Sequence, residues 1–308
     1  MSEEIKEVKV ERRYDEKSIR RHYSVSRKIW KAFKIFLRHL FLALLGLFWL
    51  IPIIWMVLTA FSTTPGVNFY TFFPDGYTLN NFKELLFSSS SSYNFPKQFL
   101  NTLIIASIVC VISTSFVLMV AYAMSCMRFK ARKPLMNFAV TLNLFPGFLS
   151  MIAVYFILKS IGLTKSHLGL VLVYSASSGL GYLVVKGFFD TISKSLREAA
   201  KIEGASELQI FTRVVMPLSK PIIVYTIISS FLGPWMDFIY AKIILLGASS
   251  SERTVAIGLY AMLDRALINQ NFAKFCAGGL LVSIPISILY VIMQKFYVEG
   301  ITAGGVKG

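Results

Sequence analysis

One carboxylate stands out among the residues that could do chemistry. Asp237 lies in the sequence Trp-Met-Asp-Phe, inside the apolar run from Pro221 to Leu246. A carboxylate at the centre of a bilayer costs roughly 2.5 to 3.5 kcal/mol on insertion scales, and such residues usually face a bundle interior or a wet cavity. Lys242 follows about 140° around an ideal helix, so a pair between the two side chains is possible but strained. Two roles stay open for Asp237, one in a solute pathway and one in a bond between helices.

Other polar and aromatic side chains within the apolar runs could line a route for a polyhydroxylated solute. Each of them could equally serve helix packing, which is the more common use of such residues in membrane helices. The strongest pathway candidates, with Asp237, are Asn143, Tyr155, Tyr174 and Trp235. The wider set contains Asn101, Thr102, Ser175, Ser177, Ser178, Tyr182 and Tyr240.

The sequence lacks the motifs of an enzyme or a motor. It contains no Gly-x-x-x-x-Gly-Lys-Ser/Thr phosphate loop, no His-Glu-x-x-His and no Gly-x-Ser-x-Gly. Three cysteines and three histidines are scattered along the chain, which predicts neither a disulfide framework nor a metal cluster. We therefore expect no catalytic residue, no metal and no cofactor, and any energy from ATP must come from another chain.

The elements that position these residues are membrane helices. The chain has 308 residues, 55% of them hydrophobic, and a mean hydropathy of +0.63. An apolar run of about 20 residues is long enough to cross a bilayer as a helix. The sequence predicts an all-α membrane protein with six such spans: Phe36 to Phe61, Leu100 to Met124, Leu135 to Leu158, His167 to Phe189, Pro221 to Leu246 and Ala277 to Phe296.

The basic residues predict the orientation of these spans. The net charge is +16, and 12 of the 32 Lys and Arg residues lie in residues 1–38. Four more lie in Arg128 to Lys133 and six in Lys186 to Lys220, whereas the intervening connectors carry two, two and three. Cytoplasmic loops are the ones enriched in Lys and Arg. This pattern places both termini in the cytoplasm of a multi-pass cell-membrane protein, and it accounts for the charge without nucleic acid.

Three regions follow from these patterns. Residues 1–35 read as a cytoplasmic tail that ends in an amphipathic interfacial helix, because mixed charges give way to apolar residues at helical spacing. Residues 36–300 form the transmembrane domain, and residues 301–308 form a C-terminal cytoplasmic tail. The outer connector Gly247 to Lys274 contains an amphipathic stretch that could reach an outer partner.

A charged segment at about residues 190–220 carries its own helix signals. Ser195 with Glu198, and Ser206 with Gln209, fit two capping boxes. Gly204 lies between them, where a helix terminator in the left-handed conformation is required. Pro217 ends the second helix before the next span begins. The segment therefore reads as helix, tight turn, helix, either packed on its own bundle or offered to another protein.

The same segment resembles the cytoplasmic EAA loop of ATP-binding-cassette importer permeases. The matching residues are Glu198, Ala199, Ala200, Glu203, Gly204, Ala205, Pro217 and Pro221. The resemblance implies the type I importer permease fold and a loop helix that sits in a cleft of the ATPase subunit, where its glutamate meets a basic residue. Glu203 stands where the family often has Asp, and Met216 where Leu is common.

Further motifs are similar to those of carbohydrate importers, and the ending resembles the smaller permease of maltose and maltodextrin systems. These motifs are FxNTLxxA from Phe99, NLFPGFLSM from Asn143, KGFFDTI from Lys186, WMDF from Trp235 and EGITAGGVKG from Glu299. The resemblance implies import of an oligosaccharide with a second permease subunit, an ATPase dimer that binds the ATP, and an extracellular solute-binding protein. Met236 replaces a frequent Asn, which removes a polar group.

Two alternatives remain beside this interpretation. Another glycan could be the substrate, because the spans give no map of the ligand. A secondary transporter would also have broken membrane helices. That class brings coupling ions to charges within the membrane, whereas this chain has essentially one acid there and carries a cytoplasmic loop that such transport does not need.

Overall fold

The computed structural model describes residues 3–67, 71–88, 93–144, 147–177 and 181–304, with side chains from Trp30 to Phe296 except those of Asn143 and Phe148. The chain divides into two compact units, Met1–Met56 and Val57–Gly308. The first unit consists of most of helix α1 (Glu3–Ala60), which continues through Pro52. The region of residues 1–35, predicted as a cytoplasmic tail that ends in an interfacial helix, is helical from Glu3, and the domain boundaries near residues 35 and 300 stay predictions.

Four helices follow α1 at the start of the second unit. Helix α2 (Asn80–Phe87) is short, and α3 (Phe95–Cys126) is the long helix at the centre of this unit. The side chain of Asn94 accepts a hydrogen bond from the backbone of Lys97 and so caps α3, and Pro96 occupies its first turn. Helices α4 (Arg132–Asn143) and α5 (Gly147–Ser160) follow.

The remaining helices include the three of the charged segment itself. They are α6 (His167–Ser177), α7 (Tyr182–Phe189), α8 (Lys194–Ile202), α9 (Glu207–Ile210), α10 (Met216–Leu218), α11 (Lys220–Met236), α12 (Ile239–Ile244), α13 (Val255–Ala261) and α14 (Ile268–Gly304). A π-helical turn, Phe211–Val215, joins α9 to α10, and a 3₁₀ turn, Ser250–Glu252, precedes α13.

The long apolar helices agree with part of the six-span prediction. Among the described residues, four helices are long and apolar enough to cross a membrane, or five if the bent pair Glu207–Leu218 and Lys220–Met236 counts as one span. The run predicted to be the third span is instead divided between α4 and α5, and the fifth is broken after Met236. The described helices thus suit a multi-pass membrane protein, while six spans and the orientation of the termini stay predictions.

Among its described residues, the second unit contains two apolar clusters. One packs the first half of α3 against α6, α12 and α13, with Ile105, Leu170 and Ile244 at its centre. The other packs the second half of α3 against α7 and the charged segment, with Phe189, Ile210 and Val215 fully buried. Helix α3 therefore packs against the connector of residues 247–274 through one half and against the charged segment through the other.

Polar side chains at the start of α3 fasten the connector that precedes α13. The amide of Gln98 donates to the carbonyl of Ser250 at 2.8 Å, and that of Asn101 donates to Ser251 at 2.8 Å. The hydroxyl of Thr102 accepts a hydrogen bond from the backbone N–H of Val255 at 2.9 Å. Two of these residues, Asn101 and Thr102, were also predicted as pathway candidates.

Candidate functional site

Helix α8 forms the first arm of the charged segment, Lys194–Leu218, which we call the coupling segment. The helix begins at Lys194 after Ser193, so Ser195 lies within its first turn rather than at its cap. The hydroxyl of Ser195 instead lies 2.7 Å from that of Ser193. The predicted capping box of Ser195 and Glu198 is therefore wrong, because the helix starts two residues earlier than the pattern indicates.

The turn after α8 has the predicted geometry. Gly204 adopts φ +83°, a left-handed conformation that costs other residues steric strain. The N–H of Gly204 donates to the carbonyl of Lys201 at 3.0 Å, and the N–H of Ala205 donates to that of Ala200 at 2.9 Å. This pair of bonds is a Schellman motif, which satisfies the last carbonyls of a helix. The tight turn is thus fixed by backbone bonds.

The second arm begins with the other predicted capping box, which the structure confirms. The backbone N–H of Ser206 donates to Gln209 Oε1 at 2.8 Å, and the backbone N–H of Gln209 donates to Ser206 Oγ at 3.3 Å. Further on, Pro217 lies inside α10, and Leu218 is the last residue of that helix. The π-helical turn Phe211–Val215 comes before the proline. The backbone N–H of the next residue, Met216, donates to the carbonyl of Phe211. A bend of 89° then separates this arm from α11.

The coupling segment is anchored on its own bundle by apolar residues. Ile210 and Val215 are fully buried, and the half-buried Ala200 and Ala205 pack against the same cluster. Small side chains let the segment approach α3 and α7 closely. Ala200 and Ala205, two of the residues that match the EAA loop, are therefore used for packing within the chain.

The other side of the segment is exposed around the turn. Glu198, Ala199, Glu203, Gly204 and Pro217 are all exposed. Two apolar side chains flank the turn, Ile202 with 88% of its surface exposed and Leu208 with 71%. This pair is not among the residues predicted for the site, although two apolar residues beside a glycine in a charged connector are a signal for it in the sequence.

A hydrogen bond to a carboxylate joins the segment to the end of α3, and a second polar cluster beside it joins α3 to the end of α7. The hydroxyl of Tyr122 donates to Glu207 Oε2 at 2.7 Å, and Lys201 Nζ lies 2.5 Å from Glu207 Oε1. Nearby, Asp190 accepts from Ser125 and from Lys186, each at 2.6 Å. Burial alone would raise the pKa of Asp190, but these two hydrogen bonds hold it below its ordinary value.

A cavity of about 650 Å³ opens beside these bonds. Its lining combines Glu198 with basic side chains, among them Arg128, Arg132, Lys194 and Arg197. In the described part of the chain, none of these four cations takes part in an ion pair. The cavity thus presents a mixed, mainly positive lining beside the coupling segment.

Asp237 lies at the break between α11 and α12. Its Oδ2 accepts from the backbone N–H of Ala241 at 2.9 Å, and its Oδ1 accepts from that of Tyr240 at 3.2 Å. The hydroxyl of Tyr174, on α6, donates to Oδ2 at 2.6 Å. The carboxylate therefore caps α12 and bonds two helices, and the structure brings two of the five pathway candidates into contact.

Lys242 has other neighbours. Its ammonium lies 4.9 Å from the ring centroid of Phe238 and 4.8 Å from that of Tyr260. These are cation–π distances. The ammonium of Lys242 thus contacts aromatic rings, whereas the carboxylate of Asp237 is bonded to Tyr174 and to the backbone of α12.

The other pathway candidates are not gathered around Asp237. Trp235 is buried and packs its ring edge-on against Phe99 at 5.3 Å. Tyr155 is half-buried and contacts Phe156, its neighbour in sequence, at 5.7 Å. The side chain of Asn143 lies outside the described residues, so its predicted role stays untested.

The chain is similar in sequence to known transport permeases. Residues 118–302 match the family described as binding-protein-dependent transport system inner membrane component. The galactooligosaccharides transport system permease protein GanQ of Bacillus subtilis is 30% identical over 91% of this chain and 98% of its own length. The maltodextrin transport system permease protein MdxG of the same organism is 32% identical over 88% and 95%.

A solved structure has the same fold. A chain of a bacterial ABC transporter involved in the import of the acidic polysaccharide alginate superposes with a TM-score of 0.69. The comparison covers 85% of this chain and 95% of that one at 22% sequence identity, which supports the fold alone.

Proposed function

Because the chain belongs to the family of binding-protein-dependent transport system inner membrane components, we propose that it is the permease subunit of an ATP-driven oligosaccharide importer. The geometry of the coupling segment carries this proposal. Backbone bonds fix the turn at Gly204, and two apolar side chains beside it, Ile202 and Leu208, are exposed. The same segment is hydrogen-bonded to α3 through Glu207. A rigid arm of this kind can pass a movement of an attached motor to a membrane helix.

The motor in this proposal is a separate ATPase dimer. The sequence contains no phosphate loop of its own, and the chain acts as a transport subunit rather than as an enzyme. Ile202 and Leu208 enter an apolar cleft of the ATPase, while Glu198 meets a basic residue at its edge. Ala199, Glu203 and Gly204 lie at the same contact, and Ala200, Ala205 and Pro217 set the shape of the segment.

A second permease subunit and an extracellular sugar-binding protein complete the assembly. The family description includes dependence on a binding protein. With the coupling segment in the cytoplasm, as the distribution of Lys and Arg predicts, the connector between α12 and α14 faces the outside and receives the binding protein.

Maltodextrin is the substrate that we propose first. Support comes from the GGVKG ending and from the 32% identity with the maltodextrin permease MdxG. The similar identity with the galactooligosaccharide permease GanQ makes another glycan the alternative.

Reconstitution in liposomes tests both levels of the proposal. The chain is combined with its partner permease, the ATPase and the binding protein, and ATP hydrolysis and uptake are measured with α-linked glucose oligomers, β-linked galactose oligomers, amino acids and ions. We expect stimulation by the glucose oligomers. Stimulation by another glycan alone would contradict maltodextrin as the substrate but would still support an oligosaccharide importer. A response confined to amino acids or ions would contradict both proposals.

A further inference from the structure

A second cavity, of about 280 Å³, lies between α3, α6, α7 and α11. Hydroxyl groups line it from three of these helices: Ser113 on α3, Ser177 on α6, and Tyr225, Thr226, Ser229 and Ser230 on α11. No charged side chain is among its described lining residues. The cavity therefore suits a neutral molecule that can both donate and accept hydrogen bonds.

The hydroxyl groups of α11 lie on one face of the helix. Thr226, Ser229, Ser230 and Gly233 follow the spacing i, i+3, i+4, i+7, which places them above one another. In a membrane, such a face turns toward protein or water rather than toward lipid tails. A stripe of this kind can serve a neighbouring helix or a solute.

Ser113 distinguishes a binding cavity from a mere packing surface. Its side chain is 1% exposed, lines the cavity, and finds no hydrogen-bond partner among the described residues. A buried hydroxyl without a partner costs roughly 1 to 3 kcal/mol. A ligand or water molecule within the cavity would remove this cost.

Tyr174 links the cavity to the break between α11 and α12. It borders the cavity, and its hydroxyl donates to Asp237 at 2.6 Å, which leaves the phenol oxygen as an acceptor. The rings of Tyr174 and Tyr225 add apolar surface. Hydroxyl groups combined with aromatic rings match the polar edges and the apolar faces of a sugar.

We propose that this cavity holds one neutral sugar ring of the oligosaccharide during its passage, an inference that rests on the proposed function. The volume equals that of about nine water molecules at roughly 30 Å³ each, which is enough for a single ring and its hydroxyls. Ser113, Ser229 and Ser230 exchange hydrogen bonds with the ring. The site contributes sugar contacts from this subunit itself.

Single cysteines test the proposal in the complete importer. The native Cys110, Cys126 and Cys276 are first replaced by alanine, and retained sugar uptake confirms the background. Ser229→Cys and Ser230→Cys are then introduced separately. Ser160→Cys is the control, because Ser160 is exposed at the end of α5 and outside the cavity. The rate at which a small charged methanethiosulfonate reagent labels each cysteine is then measured in the presence of the binding protein and ATP. The measurement is made once with the transported sugar and once without it.

We expect the sugar to slow labelling at both cavity positions and not at Ser160. Protection reaches about tenfold when the sugar is present at ten times its dissociation constant. Equal labelling with and without sugar, in a complex that imports the sugar, would overturn the proposal and leave the proposed function standing. Absence of labelling together with a disulfide to a cysteine of the partner permease would assign the stripe to the subunit contact instead. Absence of any sugar uptake by the unmodified complex would overturn both inferences.

Discussion

The hydroxyl of Tyr122 donates a hydrogen bond of 2.7 Å to Glu207, 85 residues later in the chain. Tyr122 lies near the end of α3, and Glu207 is the first residue of α9, directly beyond the Gly204 turn. The same carboxylate contacts Lys201 on α8. One side chain thus ties both arms of the coupling segment to the central helix.

Replacing this tyrosine should loosen the link between motor and membrane. In Tyr122→Phe the ring remains but the bond to a charged partner is lost, which costs about 1.5 to 3 kcal/mol. We expect fewer sugar molecules to be imported for each ATP hydrolysed in the reconstituted complex. Tyr290→Phe is the control, because Tyr290 is exposed on α14. An unchanged ratio of sugar to ATP in Tyr122→Phe would contradict this role.

The Gly204 turn offers a test that depends on backbone conformation alone. A Cβ atom added at Gly204 or at Gly187 meets no atom within 4 Å, but only Gly204 has a positive φ. Gly204→Ala should lower the free energy of unfolding by about 1 to 2 kcal/mol, because alanine is strained in the left-handed region. Gly187→Ala should not destabilise the protein. Thermal unfolding of the purified protein compares the two, and equal effects would show that the conformation of the turn is unimportant.

The exposed Ile202 should contribute to binding of the ATPase. Full burial of such a side chain is worth about 1.5 to 3 kcal/mol, so Ile202→Ser should weaken binding roughly tenfold to a hundredfold. Retention of the ATPase on the immobilised permease measures the effect. Ile161→Ser provides the control, because Ile161 is 60% exposed in the connector between α5 and α6. Normal retention by Ile202→Ser would place the contact elsewhere.

Two variants separate the roles of Asp237. Asp237→Leu removes the cap of α12 and the bond to Tyr174, whereas Tyr174→Phe removes only the bond between helices. We expect uptake per inserted molecule to fall in both, and more strongly in Asp237→Leu, because the backbone N–H groups of Tyr240 and Ala241 also lose their acceptor. Normal uptake by Asp237→Leu would show that neither role matters.

The fastening of the connector that precedes α13 can be tested at Thr102. Thr102→Val keeps the shape of the side chain but leaves the N–H of the buried Val255 without its acceptor, at a cost of about 1 to 3 kcal/mol. Amide hydrogen exchange should become faster at Val255 and its neighbours. In Thr141→Val, at an exposed site whose hydroxyl bonds only within its own helix, exchange at Val255 should stay as it is. Equal exchange in both variants would show that the fastening is unimportant.

Features that depend on nearby residues could be predicted from the sequence. The Schellman turn at Gly204 and the capping box of Ser206 and Gln209 each involve residues at most five positions apart, so residue type and spacing were enough. The long apolar helices followed from run length in the same way. The start of α8 was misplaced because Ser193 and Ser195 are both acceptable helix starts, and local pattern does not choose between them.

Relations between distant residues were decided by the tertiary structure. Sequence alone left Asp237 with two roles, and only the packing of α6 beside α12 brings Tyr174 to its carboxylate. In the same way, only the docking of the coupling segment on α3 pairs Tyr122 with Glu207 and leaves Ile202 exposed. Backbone hydrogen bonds and capping act over one helical turn, so the sequence determined the helices and turns of this protein. The contacts between helices depend on how whole apolar faces pack, and that information is spread over the entire chain.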